Sequence, residues 1–217
     1  MPRMLAMIPA DILFAYLAAV LLVVMSPGPD NILAISRGLS QGRLAGVLSS
    51  VGAGLGILCH TVAAALGLAL LLQTSPVAFG VVKVVGAAYL IWLGYKAITA
   101  RNLVSFAPAQ HQSLMRVFMT GLLSNVLNPK PGLFVVAFIP QFTSPLRGSV
   151  PEQMLVFGAI FAVLTAVIFS LLACFAAQLS AWLSRRPRVV AGINIGAGLT
   201  LLLAGLSILA LGRRSGV

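Results

Sequence analysis

The sequence predicts an all-α polytopic membrane protein, with six transmembrane helices arranged as two inverted three-helix repeats and a proline-broken first helix in each. Three observations carry that expectation. Apolar residues make up 60% of the 217 and the mean hydropathy is +1.08. Only Asp11, Asp30 and Glu152 are acidic, against 14 Lys and Arg, a balance that no soluble domain needs. Two proline-rich interruptions, Ser26-Pro27-Gly28-Pro29-Asp30-Asn31 and Asn128-Pro129-Lys130-Pro131-Gly132, lie about half a chain apart in otherwise apolar surroundings.

Crossing the hydrocarbon takes about 20 mostly apolar residues in a helix, so the spans are found by marking what avoids charge. The first, near 10–36, rests on the charge-free run 12–29 and passes through the first break. The second, near 44–72, lies in the charge-free run 44–82, and Gln73-Thr74-Ser75-Pro76 separates it from the third as turn residues do. The third, near 77–98, carries Lys83. The fourth, near 114–139, passes through the second break and carries Lys130. The fifth, near 153–180, and the sixth, near 189–211, lie in charge-free runs. Almost nothing is left for a soluble domain, so residues 1–217 form one transmembrane unit, with repeats at about 1–108 and 109–217.

The net charge of +11 is placed for a membrane rather than for nucleic acid. Arg37 and Arg43 follow span one, Lys96, Arg101 and Arg116 flank the loop after span three, and Arg185, Arg186 and Arg188 follow span five. Loops two and four hold none and Arg147 alone. Lys and Arg accumulate in cytoplasmic loops, which puts both termini outside, although Arg213 and Arg214 pull the other way. The stretch after Arg3 is too long for the apolar region of a signal peptide and runs into proline rather than a small-residue cleavage site. Cys59 and Cys174 sit in apolar spans, where free cysteine acts as a small hydrophobe.

The halves echo one another weakly: Val85-Gly86-Ala87-Ala88-Tyr89-Leu90 resembles Ile195-Gly196-Ala197-Gly198-Leu199-Thr200, and the breaks match at a slightly different offset. Three spans per half is an odd number, so the halves enter the membrane from opposite sides. Inverted repeats with interrupted helices in corresponding positions are the layout of many secondary transporters, whose site lies near the midplane. At about 1.5 Å per residue, both breaks fall close to the bilayer centre.

A break at that depth is tolerated only inside protein or beside a wet cavity. Pro27 and Pro29 donate no hydrogen bond, so carbonyls around Val23 and Met25 are expected to lose partners. Beyond Pro29 the helix restarts, with the amides of Asn31, Ile32 and Leu33 expected unpaired and electropositive. One break thus offers carbonyls to a cation and N–H groups to an anion, which suits an amino-acid zwitterion with Lys130 at its carboxylate and Asp30 at its ammonium. The expected contact residues are Pro27, Gly28, Pro29, Asp30, Asn31, Asn128, Pro129 and Lys130. Against this, proline kinks also arise from packing, Lys130 can snorkel, and Asp30 can act as an N-cap.

His60 in span two can carry a coupling proton, histidine being the side chain suited to proton exchange, as can Asp30; a neutral histidine bonded within the bundle is the other reading. Tyr89, Asn125 and Gln141 can line a cavity or an interface. Gly52, Gly54 and Gly56 read as close helix packing, since no strand precedes them and no lysine follows as a phosphate loop requires.

At these residues the chain closely resembles the LysE/RhtB family of bacterial amino-acid exporters. Pro27-Gly28-Pro29 followed by Asp30, Gly42-Arg43-x-Ala45-Gly46, Gly86-Ala87-Ala88-Tyr89-Leu90 with Leu93-Gly94, Asn128-Pro129-Lys130 and Phe138-x-Pro140-Gln141-Phe142 carry the match in the family's order. The resemblance implies a six-span inner-membrane exporter of amino acids or close derivatives, driven by the proton gradient and assembled as a homodimer, without cofactors. Asp30 after Pro-Gly-Pro looks like the threonine and homoserine side of the family. Some members carry an acidic residue in span two where this chain has Ile57, which argues against a cationic substrate. A metal-cation exporter is the competing transport reading, but the spans offer only Asp30, His60 and scattered cysteines as ligands. An enzyme would need a nucleophile beside a base, and a structural scaffold would have no use for Lys130.

Overall fold

The computed structural model describes residues 8–26, 28–74, 76–99, 110–176, 178, 182 and 185–212. Helix α1 (Ala10–Met25) closes its last turn with Ser26 N–H on the Leu22 carbonyl at 3.1 Å. Ser26 and Gly28 are extended, and α2 (Pro29–Gln41) restarts with proline in its first turn, where a missing N–H costs nothing. Gly42 ends α2 at φ +85°, a left-handed conformation that favours glycine, and α3 (Arg43–Thr74) turns back from it.

The second half follows the same plan. Helix α4 (Pro76–Thr99) leads to the connection, and α5 (Leu114–Val126) is capped by the Ser113 hydroxyl, which accepts from Arg116 N–H. Asn128 caps α6 (Pro129–Ala137) by accepting the Lys130 N–H at 3.0 Å. Two single 3₁₀ turns, Ile139–Phe142 and Pro145–Arg147, precede α7 (Val150–Cys174), and α8 (Pro187–Gly212) follows. Gln153 secures the connection by bonding both backbone groups of Ser144 and the Gly148 carbonyl.

Helices α3 and α7 each contain 25 residues long and apolar enough to span a membrane, Arg43–Gly67 and Val150–Cys174. Helices α1 and α2 pass the same test together with a 60° bend, and the pair Leu114–Val126 with Pro129–Phe142 passes it with a 51° bend. Where spans three and six were expected, the apolar described stretches are the shorter Val84–Lys96 and Ala191–Leu203, within α4 and α8. The side chain of Lys83, and Arg3, Arg101, Arg213 and Arg214, lie outside the described residues. The chain is thus a helical, multi-pass membrane protein.

Glycines reveal how the helices run. A Cβ on Gly46, Gly54 or on Gly158 would meet Ala173, Ala162 or Thr61, so α3 and α7 are antiparallel and closely packed. Gly94 meets Gly198 and Gly205 meets the Ala87 carbonyl, so α4 and α8 are antiparallel too. Gly52 faces Phe118 while Gly56 faces Asn125, so α3 and α5 run in the same direction. Since Gly46 also packs on Gly38 and Ala34 across the turn, α2 opposes α3, and therefore α5. Small residues of this kind let backbones approach. The reading of Gly52, Gly54 and Gly56 as packing residues is borne out, with alternate glycines serving opposite faces of α3.

Aromatic side chains fill the other end of the core. Tyr16 is fully buried, its hydroxyl donates to the Phe157 carbonyl at 2.7 Å, and its ring packs on Phe142 and Phe157. This ties α1 to α7 with the hydroxyl satisfied, as a buried tyrosine requires. Cys59 is exposed and Cys174 partly buried, both as free thiols.

Candidate functional site

The two breaks meet. Ser26 is extended, so its carbonyl turns away from the axis of α1. It accepts from Lys130 Nζ at 3.1 Å and from Asn31 Nδ2 at 3.0 Å. Asn31 also accepts the Gly28 N–H at 2.8 Å, so one side chain secures both polar groups of the break. Lys130 reaches from the opposite break and lies over Gly28, where an added Cβ would stand 3.5 Å from Nζ. The lysine is therefore turned into the protein.

Asp30 crosses in the other direction. It is 7% exposed, and Oδ1 accepts from Ser124 Oγ at 2.8 Å while Oδ2 accepts from Asn125 Nδ2 at 2.7 Å and Asn128 Nδ2 at 2.9 Å. All three donors belong to the second break or the helix leading into it. A buried carboxylate needs several such donors, because its desolvation is otherwise prohibitive. Asn128 serves both ends of the site, since its Oδ1 caps α6 while its Nδ2 holds Asp30.

His60 on α3 completes the far side. Pro129 has no N–H to give the Asn125 carbonyl, which is taken instead by Asn128 N–H and by His60 Nε2, each at 3.0 Å. A carbonyl oxygen only accepts, so Nε2 carries the proton of that bond. Gly132 leaves room for the ring, for a Cβ there would lie 2.9 Å from His60 Cε1.

The carbonyl that holds the Lys130 ammonium is that of Ser26, one residue beyond the last helical residue of α1. One detail differs from the sequence expectation. The Ile32 amide is not free for an anion, since it donates to the Gly28 carbonyl at 3.1 Å. Of the expected contact residues, Gly28, Pro29, Asp30, Asn31, Asn128, Pro129 and Lys130 lie at or beside the junction, and Pro27 lies outside the described residues. Asp30 does not cap its own helix: Asn31 holds the Gly28 N–H, and Asp30 is committed to the other half. Gln141 donates to the Ala137 carbonyl at 3.2 Å, and Tyr89 packs on Trp92.

Between the breaks lies a small, partly open cavity of about 30 Å³. Its polar wall is formed by Ser26, Gly28, Asp30, Asn31, Asn125, Asn128 and Lys130, and its apolar wall by residues such as Val23, Ile57, Pro131, Phe161 and Phe169. Ile57 faces the cavity as hydrocarbon. Ser124 and Thr165 were not singled out from the sequence. Ser124 stands four residues before Asn128, on the same helical face, which is a signal that could have found it; Thr165, alone among apolar residues, leaves none.

Residues 21–212 match the family described as LysE type translocator. The chain is 33% identical over 193 residues to a homoserine/homoserine lactone efflux protein of Salmonella typhimurium, covering 88% of this chain and 93% of that one. It is 33% identical over 181 residues to an uncharacterized membrane protein of Vibrio cholerae, covering 83% and 87% of the two chains. A leucine efflux protein of Klebsiella pneumoniae is 34% identical over 131 residues, 58% and 61% of the two. No solved structure matches. With the match extending over both breaks and everything between them, the chain belongs to the LysE type translocator family.

Proposed function

We propose that this protein is a secondary-active exporter of amino acids or close derivatives, working by alternating access in the bacterial inner membrane. The observation that carries the reading is the exchange of opposite charges between the breaks: Lys130 on the Ser26 carbonyl, and Asp30 within the amides of the second half, around one cavity. Charges within a span cost roughly 2.5–3.5 kcal/mol on insertion scales, so a pair this deeply built in is expected to serve transport. The names of the efflux relatives support an amino-acid cargo.

In this reading the two three-helix repeats are inverted, as the opposed directions of α2 and α5, α3 and α7, and α4 and α8 support. Helices α4 and α8 then serve as the third and sixth spans, both termini lie outside, and the halves rock about the junction. Lys130 leaves Ser26 to hold the substrate carboxylate, and the freed carbonyl receives the ammonium. Asp30 fixes the amides that shape the cavity. A proton taken up at His60 is sensed through the Asn125 carbonyl, whose residue also holds Asp30. For a metal-cation exporter the donor set is poor: among the described residues no three of His, Cys, Asp and Glu come together.

The test compares extracellular amino acids from cells making the wild type, Lys130→Met or no protein, all fed dipeptides. Wild type is expected to raise the extracellular level of one or a few amino acids, and Lys130→Met to remove that rise at equal protein in the membrane. An unchanged profile on wild-type production, with metal tolerance altered instead, sinks the amino-acid reading.

A further inference from the structure

Two residues that line the cavity each carry a buried side-chain atom without a hydrogen-bond partner among the described residues: Asn125 Oδ1 and Thr165 Oγ1. Their side chains are 1% and 2% exposed. Leaving a buried polar atom unpaired forfeits its hydration without replacement, and such atoms in a native protein call for an explanation.

The Asn125 orphan does not arise from a free choice of orientation. Asn125 must point Nδ2 at the Asp30 carboxylate, which accepts only, so Oδ1 faces the other way. Gly56 backs that amide closely; a Cβ there would come within 2.7 Å of Oδ1. Helical threonines elsewhere in the chain satisfy their hydroxyls on the carbonyl one turn back, as Thr61 does on Ile57, Thr120 on Arg116 and Thr200 on Gly196. Thr165 does not, and its hydroxyl keeps both a proton and lone pairs to offer beside the apolar Phe161 and Phe169.

We propose that Asn125 and Thr165 form a subsite for the side-chain hydroxyl of a small hydroxy amino acid, and that this subsite sets selectivity against apolar amino acids of similar size. The proposal rests on the amino-acid export reading and deepens it. A substrate hydroxyl donates to Asn125 Oδ1, which can only accept, and accepts from the Thr165 hydroxyl. A methyl in the same place satisfies neither. Sites built to bond a hydroxyl reject the analogue lacking it far more strongly than apolar pockets reject a missing methylene, because their own polar groups are stranded.

Homoserine and 2-aminobutyrate share a carbon skeleton and differ by that hydroxyl, so their efflux from preloaded cells reads the subsite directly. The wild type is expected to prefer homoserine by about tenfold or more, in line with stranding at least one buried polar group. Thr165→Val is expected to bring the two rates close together, mainly by slowing homoserine, and Thr165→Ser to keep the preference. Equal wild-type rates overturn the proposal, as does Thr165→Val slowing both substrates alike, the result expected if the orphans bind the α-ammonium common to both. Should the valine variant fail to reach the membrane, competition in wild type decides: homoserine must suppress efflux of a labelled substrate at lower concentration than 2-aminobutyrate. Export of both without any dependence on Thr165 removes this inference alone, whereas export of neither above empty-vector cells removes the amino-acid reading with it.

Discussion

Asp30 accepts three hydrogen bonds from neutral donors of the opposite half, so its charge organises the junction before any substrate arrives. Asp30→Asn tests this with almost no change of shape. The amide can keep its oxygen toward Asn125 and Asn128 and turn its NH₂ to Ser124 Oγ, which can accept as well as donate, so what the variant removes is the charge that strengthens all three bonds. Stability is expected to fall by about 1–3 kcal/mol, read as a lower unfolding temperature of the purified protein in detergent, and efflux with it. Intact stability and efflux in Asp30→Asn would mean that the charge is dispensable. Both charges were legible in the sequence because a carboxylate and an ammonium stand out in apolar spans beside proline. Not all of their partners were, since Ser124 is a small polar residue of the kind that apolar helices tolerate freely, as is the unpaired Thr165, and the Ser26 carbonyl carries no sequence signal of its own. Even the two break charges were expected on one zwitterion, whereas each is first committed to the opposite half.

At the scale of the helix, glycine sets how closely α3 can approach its neighbours. A Cβ at Gly52 would collide with the Phe118 carbonyl and lie 2.8 Å from the Leu122 amide, backbone atoms that cannot swing aside. Gly80 on α4 meets nothing within 4 Å. Gly52→Ala is expected to destabilise by about 1–3 kcal/mol, as overpacking does, while Gly80→Ala leaves the unfolding temperature unchanged or slightly raised; equal effects would deny that α3 and α5 are in close contact. Gly132→Val belongs to the same class but acts on the site, because the His60 ring occupies the space its side chain needs. Efflux should drop with Gly132→Val as with His60→Ala, and lose its dependence on external pH in both if the His60 proton is the coupling ion. The alternation of Gly52, Gly54 and Gly56 announced close packing from the sequence. Which helices they meet was hidden, because the partners Phe118, Asn125 and Ala162 lie far along the chain and share no motif with them.

Across the whole molecule, rocking of one half against the other requires contacts that form on one side and open again. Arg37 is the strongest candidate for such a clasp, being 4% exposed and donating to Gln41 Oε1, the Gln110 carbonyl and Gln112 Oε1. Gln41 Nε2 adds a bond to the Gln112 carbonyl at 2.7 Å, and Gln112 N–H returns one to Gln41 Oε1 at 3.0 Å. These bonds fasten the end of α2 to the segment entering α5, on the side that the basic loops assign to the cytoplasm. The partners are neutral amides, so each bond is worth only about 1.5–3 kcal/mol to the charged arginine, weak enough to open in each cycle. Cysteines at positions 41 and 112, in a chain with Cys59→Ala and Cys174→Ala, allow the clasp to be held shut by a short thiol-reactive linker. Efflux is expected to stop on cross-linking with the short linker and to persist with a long flexible one or when either cysteine is present alone. Undiminished efflux with the short linker in place would mean that this contact stays closed throughout transport, and that the halves do not part there.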